Sequence, residues 1–204
     1  MSPISRRLIL CAASAVLLSA CSSDPVPRDT FYRLGAAATP APLAGGPIKG
    51  TAEVPLFRAQ GIINERAVLY RESARELAQY NYHAWLEPPS VMLQRAFVEA
   101  LRGANAFSTV ASPEMRLDRD YELIGNIREW EHVLPQGGAG PAVAIVIEVA
   151  LRRVAGNKEV LVKTYRVTEP ASGESVDAAA AAFTTGLDKV LAQVLADLAT
   201  LPKN

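Results

Sequence analysis

Hydrophobic positions recur first at strand spacing and then at helical spacing, in an order that lays out most of a fold. In AVAIVIEVALRRV (142–154), Val143, Ile145, Ile147, Val149 and Leu151 share one face and are mostly β-branched, which predicts a strand with one buried side. DYELIGNIREWEHV (120–133) and EVLVKTYRVTE (159–169) flank it. The joins, LPQGGAGP and AGNK, are rich in turn residues, so the three runs predict an antiparallel meander. From Ser175 to Leu201 the spacing changes. Phe183, Leu187, Val190, Leu191, Val194 and Leu198 recur at threes and fours, opposite Asp188, Lys189, Gln193 and Asp197. That single stripe predicts a long C-terminal helix docked by one face, and the alanine run 178–182 favours it.

Upstream the elements are shorter. FYRL (31–34) predicts a brief strand, and GAAATPAPLAGGPIKGT (35–51) a loop or crossover in which Pro and Gly leave no period. AEVPLF (52–57) and AVLYRES (67–73) are β-type runs around a turn-prone RAQGIINER, and ELAQYNYHAW (76–85) predicts a hairpin partner for the second. Pro88 and Pro89 suit a first helical turn; Leu93, Phe97, Ala100 and Leu101 then form one stripe that ends at Gly103. A loop containing Pro113 leads into the meander. The class expected is α/β (α+β): one mixed or largely antiparallel sheet packed by two main helices, with a C-terminal antiparallel meander and a long C-terminal helix.

The N-terminus follows a different pattern. Arg6 and Arg7 precede an apolar run from Leu8 to Leu18 that closes in small residues, the three-part layout of a secretory signal peptide. Stretched to Ala20 the run is about 13 residues, short of the roughly 18 a membrane-spanning helix needs. Leu18-Ser19-Ala20 before Cys21 forms a lipobox, which makes Cys21 the lipidated first residue of the mature chain. The expected organisation is a removed signal at 1–20, a lipidated tether at 21–30 carrying Pro25 and Pro27, and a single periplasmic domain at 31–204. Ser22 and Ser23 follow the cysteine, with no Asp of the kind that signals inner-membrane retention, so the favoured address is the periplasmic face of the outer membrane.

Charge and cysteine count then narrow the classes. Of the two cysteines, Cys11 leaves with the signal and Cys21 is taken by lipid, so no thiol remains for a disulfide, a zinc site or a nucleophile. Loss of Arg6 and Arg7 from 21 basic residues leaves 19 against 21 acidic, a net −2 with no basic excess for nucleic acid. No metal or cofactor is expected beyond the covalent lipid.

Candidate chemistry is sparse. His83 and His132 stand far apart, neither in a metal-binding context. EWEH (129–132) offers two carboxylates beside a histidine, but in a strand Glu129 and Glu131 point to one face and His132 to the other, which spoils a shared site. The sequence contains no G-x-S-x-G, P-loop or G-x-G-x-x-G, so no enzyme is expected. Aromatics are richer: Phe31, Tyr32, Tyr70, Tyr80, Tyr82 and Trp85 concentrate in the first half beside Arg71 and Arg75. They serve either core and rim packing or a protein-binding face, since Tyr, Trp and Arg anchor interfaces. The candidate partner-binding residues are Phe31, Tyr32, Leu34, Arg71, Tyr80, Tyr82 and Trp85.

Taken in order, the lipobox, FYRL, VPLF, INERAVLYRES, YHAWLEPPSVMLQRAFVEAL, DYELIGNIREWE and the alanine-rich C-terminal stretch resemble the ABC-type transport auxiliary lipoproteins of the PqiC-like, paraquat-inducible kind. On that resemblance Cys21 matches the lipidated cysteine, Phe31, Tyr32 and Leu34 the first aromatic motif, Arg71 the arginine after the second strand, Trp85 the tryptophan before the first helix, and Tyr121 with Leu123 the start of the meander. Pro55-Leu56-Phe57 departs from the family's P-x-Y-L. The resemblance implies a non-enzymatic outer-membrane lipoprotein that docks an inner-membrane MCE-domain protein, with its ABC permease and ATPase, in transport of lipids or other apolar solutes. Self-association into a homo-oligomer stays open. An envelope-assembly or envelope-stability lipoprotein is the alternative. Single apolar stripes on both helices are consumed in covering one sheet, so no deep lipid pocket is expected within one monomer.

Overall fold

The computed structural model describes residues 27–202 apart from 36–38, 74 and 136; the signal, Cys21 and most of the tether lie outside the described residues. Nine strands form one mixed sheet, β1 (Thr30–Tyr32), β2 (Ile48–Glu53), β3 (Arg58–Ala59), β4 (Ala67–Ser73), β5 (Glu76–Trp85), β6 (Phe107–Ala111), β7 (Tyr121–Val133), β8 (Ala142–Arg153) and β9 (Lys158–Pro170). Among the described residues two α-helices accompany it, α1 (Pro89–Gly103) and α2 (Val176–Ala199). The expected class holds: a mixed sheet, two main helices, a meander and a long C-terminal helix.

β7 is the spine. Along one edge it pairs antiparallel with β8 for its whole length, and β8 pairs with β9 in the same way. Its other edge is shared by three short strands, all parallel to it. β2 takes Tyr121 and Glu122, β3 takes Asn126 and Ile127, and β4 takes His132 and Val133. β6 extends the sheet beyond β2, and β5 followed by β1 extends it beyond β4.

The period-two face of β8 is the floor of the core: Val143, Ile145, Ile147, Val149 and Leu151 are all 0 % exposed. Each such burial contributes about 1.5–3 kcal/mol. α1 begins at Pro89 in its first turn and sets Met92, Leu93, Phe97 and Leu101 into the core. α2 is capped by Ser175, whose hydroxyl accepts from the Ala178 N–H, and packs on β8 and β9 with small Ala179, Ala180 and Ala182 beside Phe183, Leu187, Val190 and Val194. Where sheet and α2 meet, Trp85, Trp130 and Phe183 form one aromatic cluster, with Trp130 stacked on Phe183 at 4.5 Å.

The opposite face of the sheet is polar. Arg71–Glu131 (3.1 Å), Arg128–Glu148 (3.2 Å), Arg152–Glu122 and Arg166–Glu129 cross neighbouring strands there. Ala144 and Val146 share that face by register with Glu131 and Glu129, and are 5 % and 6 % exposed under the long side chains.

Three sequence expectations need correction. The first long strand begins at Ile48, inside the stretch read as loop, and stops at Glu53. A register break between Ile48 and Thr51 carries Gly50 at φ 111, against the Asp120 carboxylate that accepts from the Thr51 N–H, so alternation is interrupted. Leu56 and Phe57 are not in a strand; Phe57 instead lies over Gly125, where a Cβ would fall 2.2 Å from its ring. β6 was unforeseen, because adjacent exposed Ser108 and Thr109 break its pattern.

Candidate functional site

The strand that follows the tether, β1, is the outermost strand on its side of the sheet and pairs parallel with β5 through Thr30–His83, Phe31–Ala84 and Tyr32–Trp85. β5 is irregular opposite it. Between the pairs Ala67–Ala84 and Leu69–Gln79, β4 contributes only Val68 where β5 contributes Tyr80, Asn81, Tyr82 and His83. The surplus is absorbed at Tyr82, whose backbone is left-handed (φ 62). This bulge brings Tyr80 and His83 together, with ring centroids 6.0 Å apart edge to face.

Two tyrosine–histidine hydrogen bonds lock the region. Tyr32 Oη and His83 Nδ1 are 2.9 Å apart, and Tyr80 Oη and His132 Nδ1 likewise. Tyr80 also stacks on His132 and meets Tyr70 at 4.5 Å. Burial, with Tyr70, Glu174 and Glu72 adding to it, pushes the Tyr80 hydroxyl up to about 12, and burial with Asp177 raises Tyr32. Burial holds His132 below the usual histidine range against the opposing pull of Glu174. His132 is 0 % exposed, and among the described residues its Nε2 has no hydrogen-bond partner. The result is a chain of ring contacts running from the tether strand into the spine of the sheet.

The seven residues read from sequence as partner-contacting do not share one surface. Phe31 and Tyr82 are exposed, with the Arg66 guanidinium 5.2 Å over the Phe31 ring. Tyr32 and Tyr80 are half-buried in the histidine pairs. Leu34 lines a cleft of about 210 Å³ between the helices with Met92, Thr184 and Leu187, held by the Gly35 N–H donating to Thr184 Oγ1. Arg71 lies on the polar face in its pair with Glu131. Trp85 is 1 % exposed and belongs to the core, which takes it off any docking surface. Sequence reasoning missed the histidine partners and Leu86, which is 50 % exposed beside β1.

Glu129 and Glu131 are engaged by Arg166 and Arg71, while His132 lies on the inner face, so these three side chains form no shared site. Burial raises the Glu131 carboxyl, Arg71 pulls it down, and Glu129 adds to the rise. At the other end of β7, Ile48, Tyr121, Leu151, Val160 and Leu201 floor a cleft of about 340 Å³ open to solvent, with Arg153 and Lys158 at its rim. Among the described residues no helix is long and apolar enough to cross a membrane.

Known proteins resolve the family. The crystal structure of protein XCC0632 from Xanthomonas campestris, of family DUF330, superposes with a TM-score of 0.73 at 25 % identity, over 81 % of this chain and 92 % of that one. A second crystal structure, of an uncharacterized protein, superposes at 0.67 over 84 % of this chain and 99 % of that one, and at 13 % identity it shows the fold alone. No curated protein matches the chain in sequence. The family model for the ABC-type transport auxiliary lipoprotein component matches residues 32–195, from the first tyrosine of the tether strand to the last turns of α2, and the chain belongs to that family.

Proposed function

We propose that this auxiliary transport lipoprotein is anchored by lipid on Cys21 to the periplasmic face of the outer membrane. There it docks an inner-membrane MCE-domain protein whose ABC permease and ATPase drive movement of lipids or other apolar solutes. The observation that carries the reading is where the tether joins the fold. β1 runs parallel to β5, β5 antiparallel to β4, and β4 parallel to β7, so the chain before Thr30 heads toward the end of the sheet where β7 finishes. Anchored there, the domain turns its opposite end outward. That end holds the β8–β9 turn, the 112–120 segment with exposed Met115 and Leu117, and the cleft rimmed by Arg153 and Lys158. A partner arriving from across the periplasm meets this end first. The sequence carries no nucleotide-binding motif, so the energy of transport belongs to the partner and the contribution of this chain is positioning.

The test is crosslinking in intact envelopes with a photoreactive residue at Met115, followed by identification of the adduct. An MCE-domain protein or its transporter is the expected partner. Adducts confined to unrelated assembly machinery would replace this reading with the envelope-assembly one.

A further inference from the structure

Beside the point where the tether joins the sheet lies a small group of exposed apolar side chains that the core does not need. Phe31 is 54 % exposed, Tyr82 47 % and Leu86 50 %. Phe31 faces the same way as Ala84, its partner in register, and the Leu86 N–H donates to the Tyr32 carbonyl at 2.7 Å, which continues the ladder. Leu86, two residues beyond Ala84, therefore returns to the face of Phe31. Tyr82 immediately precedes His83, the partner of Thr30, so the chain leaves the sheet next to it.

Tyr82 is also the one residue inside a strand, among those described, that is not glycine and yet has a left-handed backbone. A bulky residue resists that conformation. Here the strain holds an aromatic ring toward solvent rather than in the core, the arrangement expected of a contact residue. One arginine covers the group and two more flank β1 in sequence. Arg66 covers Phe31 and donates from Nε to the Trp85 carbonyl, and Arg28 and Arg33 are exposed on either side of β1, against acidic Asp29 and Glu65. Amphipathic aromatic rings and arginines whose stems lie along apolar surface are the side chains favoured at a membrane–water boundary.

We propose that this corner, Phe31, Tyr82 and Leu86 with Arg28, Arg33 and Arg66, rests on the lipid surface that holds the anchor. The inference rests on lipidation of Cys21. The length of the tether selects the occupant: Cys21 lies six residues before Pro27, which at full extension spans about 20 Å. The domain therefore stays close to the headgroups, and this corner is the apolar surface nearest the tether's exit. Three partly inserted side chains are too few to hold a protein on a membrane alone. Tethering raises their effective concentration at the surface, so a weak contact suffices to fix orientation. The corner then acts as a second foot, turning attachment at one point into a defined pose with the far end of the sheet presented outward.

The experiment places single tryptophan reporters in the full-length lipoprotein, Phe31→Trp and Tyr82→Trp at the corner and Met115→Trp at the far end, over the constant signal of buried Trp85 and Trp130. Each protein is reconstituted in vesicles of phosphatidylethanolamine with phosphatidylglycerol, with and without brominated acyl chains, and its acylation is read from intact mass. The expected result is a blue shift on reconstitution and quenching several-fold stronger at positions 31 and 82 than at 115. Acylated protein bound to vesicles with no quenching at 31 or 82 overturns the membrane-facing corner while leaving the anchor standing. The same lack of quenching, with a shift at 31 and 82 only when envelope proteins are added, gives the corner to a protein partner and also overturns it. An unacylated mature chain removes the anchor and this proposal together, and the mass alone identifies that case.

Discussion

Tyr80 and His132 stand 52 residues apart in sequence and share a hydrogen bond of 2.9 Å that joins the bulged strand β5 to the spine strand β7. Among the described residues His132 has no other hydrogen-bond partner, so Tyr80→Phe leaves the whole imidazole buried without a hydrogen bond. The expected cost is about 1–3 kcal/mol of unfolding free energy, measured by denaturant titration. Tyr32→Phe removes the matching bond to His83 at a half-exposed site, where water replaces it, and should cost less than Tyr80→Phe. Equal costs would mean that burial of His132 is not what gives the first bond its weight.

The same histidine makes stability depend on pH in a definite direction. Burial depresses the folded pKa of His132, so the unfolded chain binds the proton more readily. Its contribution is fully present above the unfolded value of about 6.5 and is lost as pH falls from there through the lower folded value. The difference in unfolding free energy between wild type and His132→Gln should therefore shrink as pH falls from 7.5 toward 5. A difference that is constant across that range, or that grows, contradicts the assignment.

Arg71 and Glu131 form an ion pair whose two halves are unequally buried, at 30 % and 8 % exposure of their side chains. Arg71→Met strands the carboxylate, whereas Glu131→Gln leaves a guanidinium that can still reach water. At pH 7 the first substitution should cost more, on the order of 1–3 kcal/mol. Burial already favours the protonated form of Glu131, so the gap between the two variants should close on acidification as the carboxyl takes up its proton. Denaturant midpoints of both variants at neutral and acid pH check this.

Gly125 and Phe57 show where sequence reading lost its grip and where a substitution will tell. A Cβ on Gly125 would stand 2.2 Å from the Phe57 ring, so Gly125→Ala should destabilise by about 1–3 kcal/mol through overpacking. Phe57→Leu should relieve part of that cost in the double variant, giving a coupling energy that independent sites would lack.

The central strand of the meander and both helices were legible because their periods run unbroken. Five alternate positions of β8 are fully buried, and the α2 stripe from Phe183 to Leu198 is buried at each position read from sequence. What failed was pairing without local signal. β2, β3 and β4 each meet β7 through only two paired positions, and no sequence period announces a strand that short a contact would reveal. β2 is further disguised by the break at Gly50, and β6 by its two adjacent polar residues. At the site, the bulge of β5 leaves Tyr80 half-buried against His132 while Tyr82 stays exposed, although strict alternation would put both on one face. The histidines read as isolated because each finds its tyrosine more than fifty residues away.

The proposed anchor carries the strongest consequence for function, and it concerns a residue outside the described part of the chain. If Cys21 is acylated, radiolabelled palmitate should enter the wild-type protein and not Cys21→Ala, and the variant should leave the membrane fraction while remaining folded. Fold and location separate here because β1 is held to β5 by three register pairs and by the Tyr32–His83 bond, all downstream of the tether. Loss of lipid therefore removes attachment without unpairing the strand. A single acyl chain gives only marginal membrane binding and several hold firmly, so the variant should lose nearly all its membrane-bound fraction rather than a part. The exposed corner of Phe31, Tyr82 and Leu86 is too small to retain it. Equal absence of label from both proteins would remove the anchor, and a Cys21→Ala protein that still sedimented with membranes after a salt wash would show that a protein face, not the lipid, provides the main attachment.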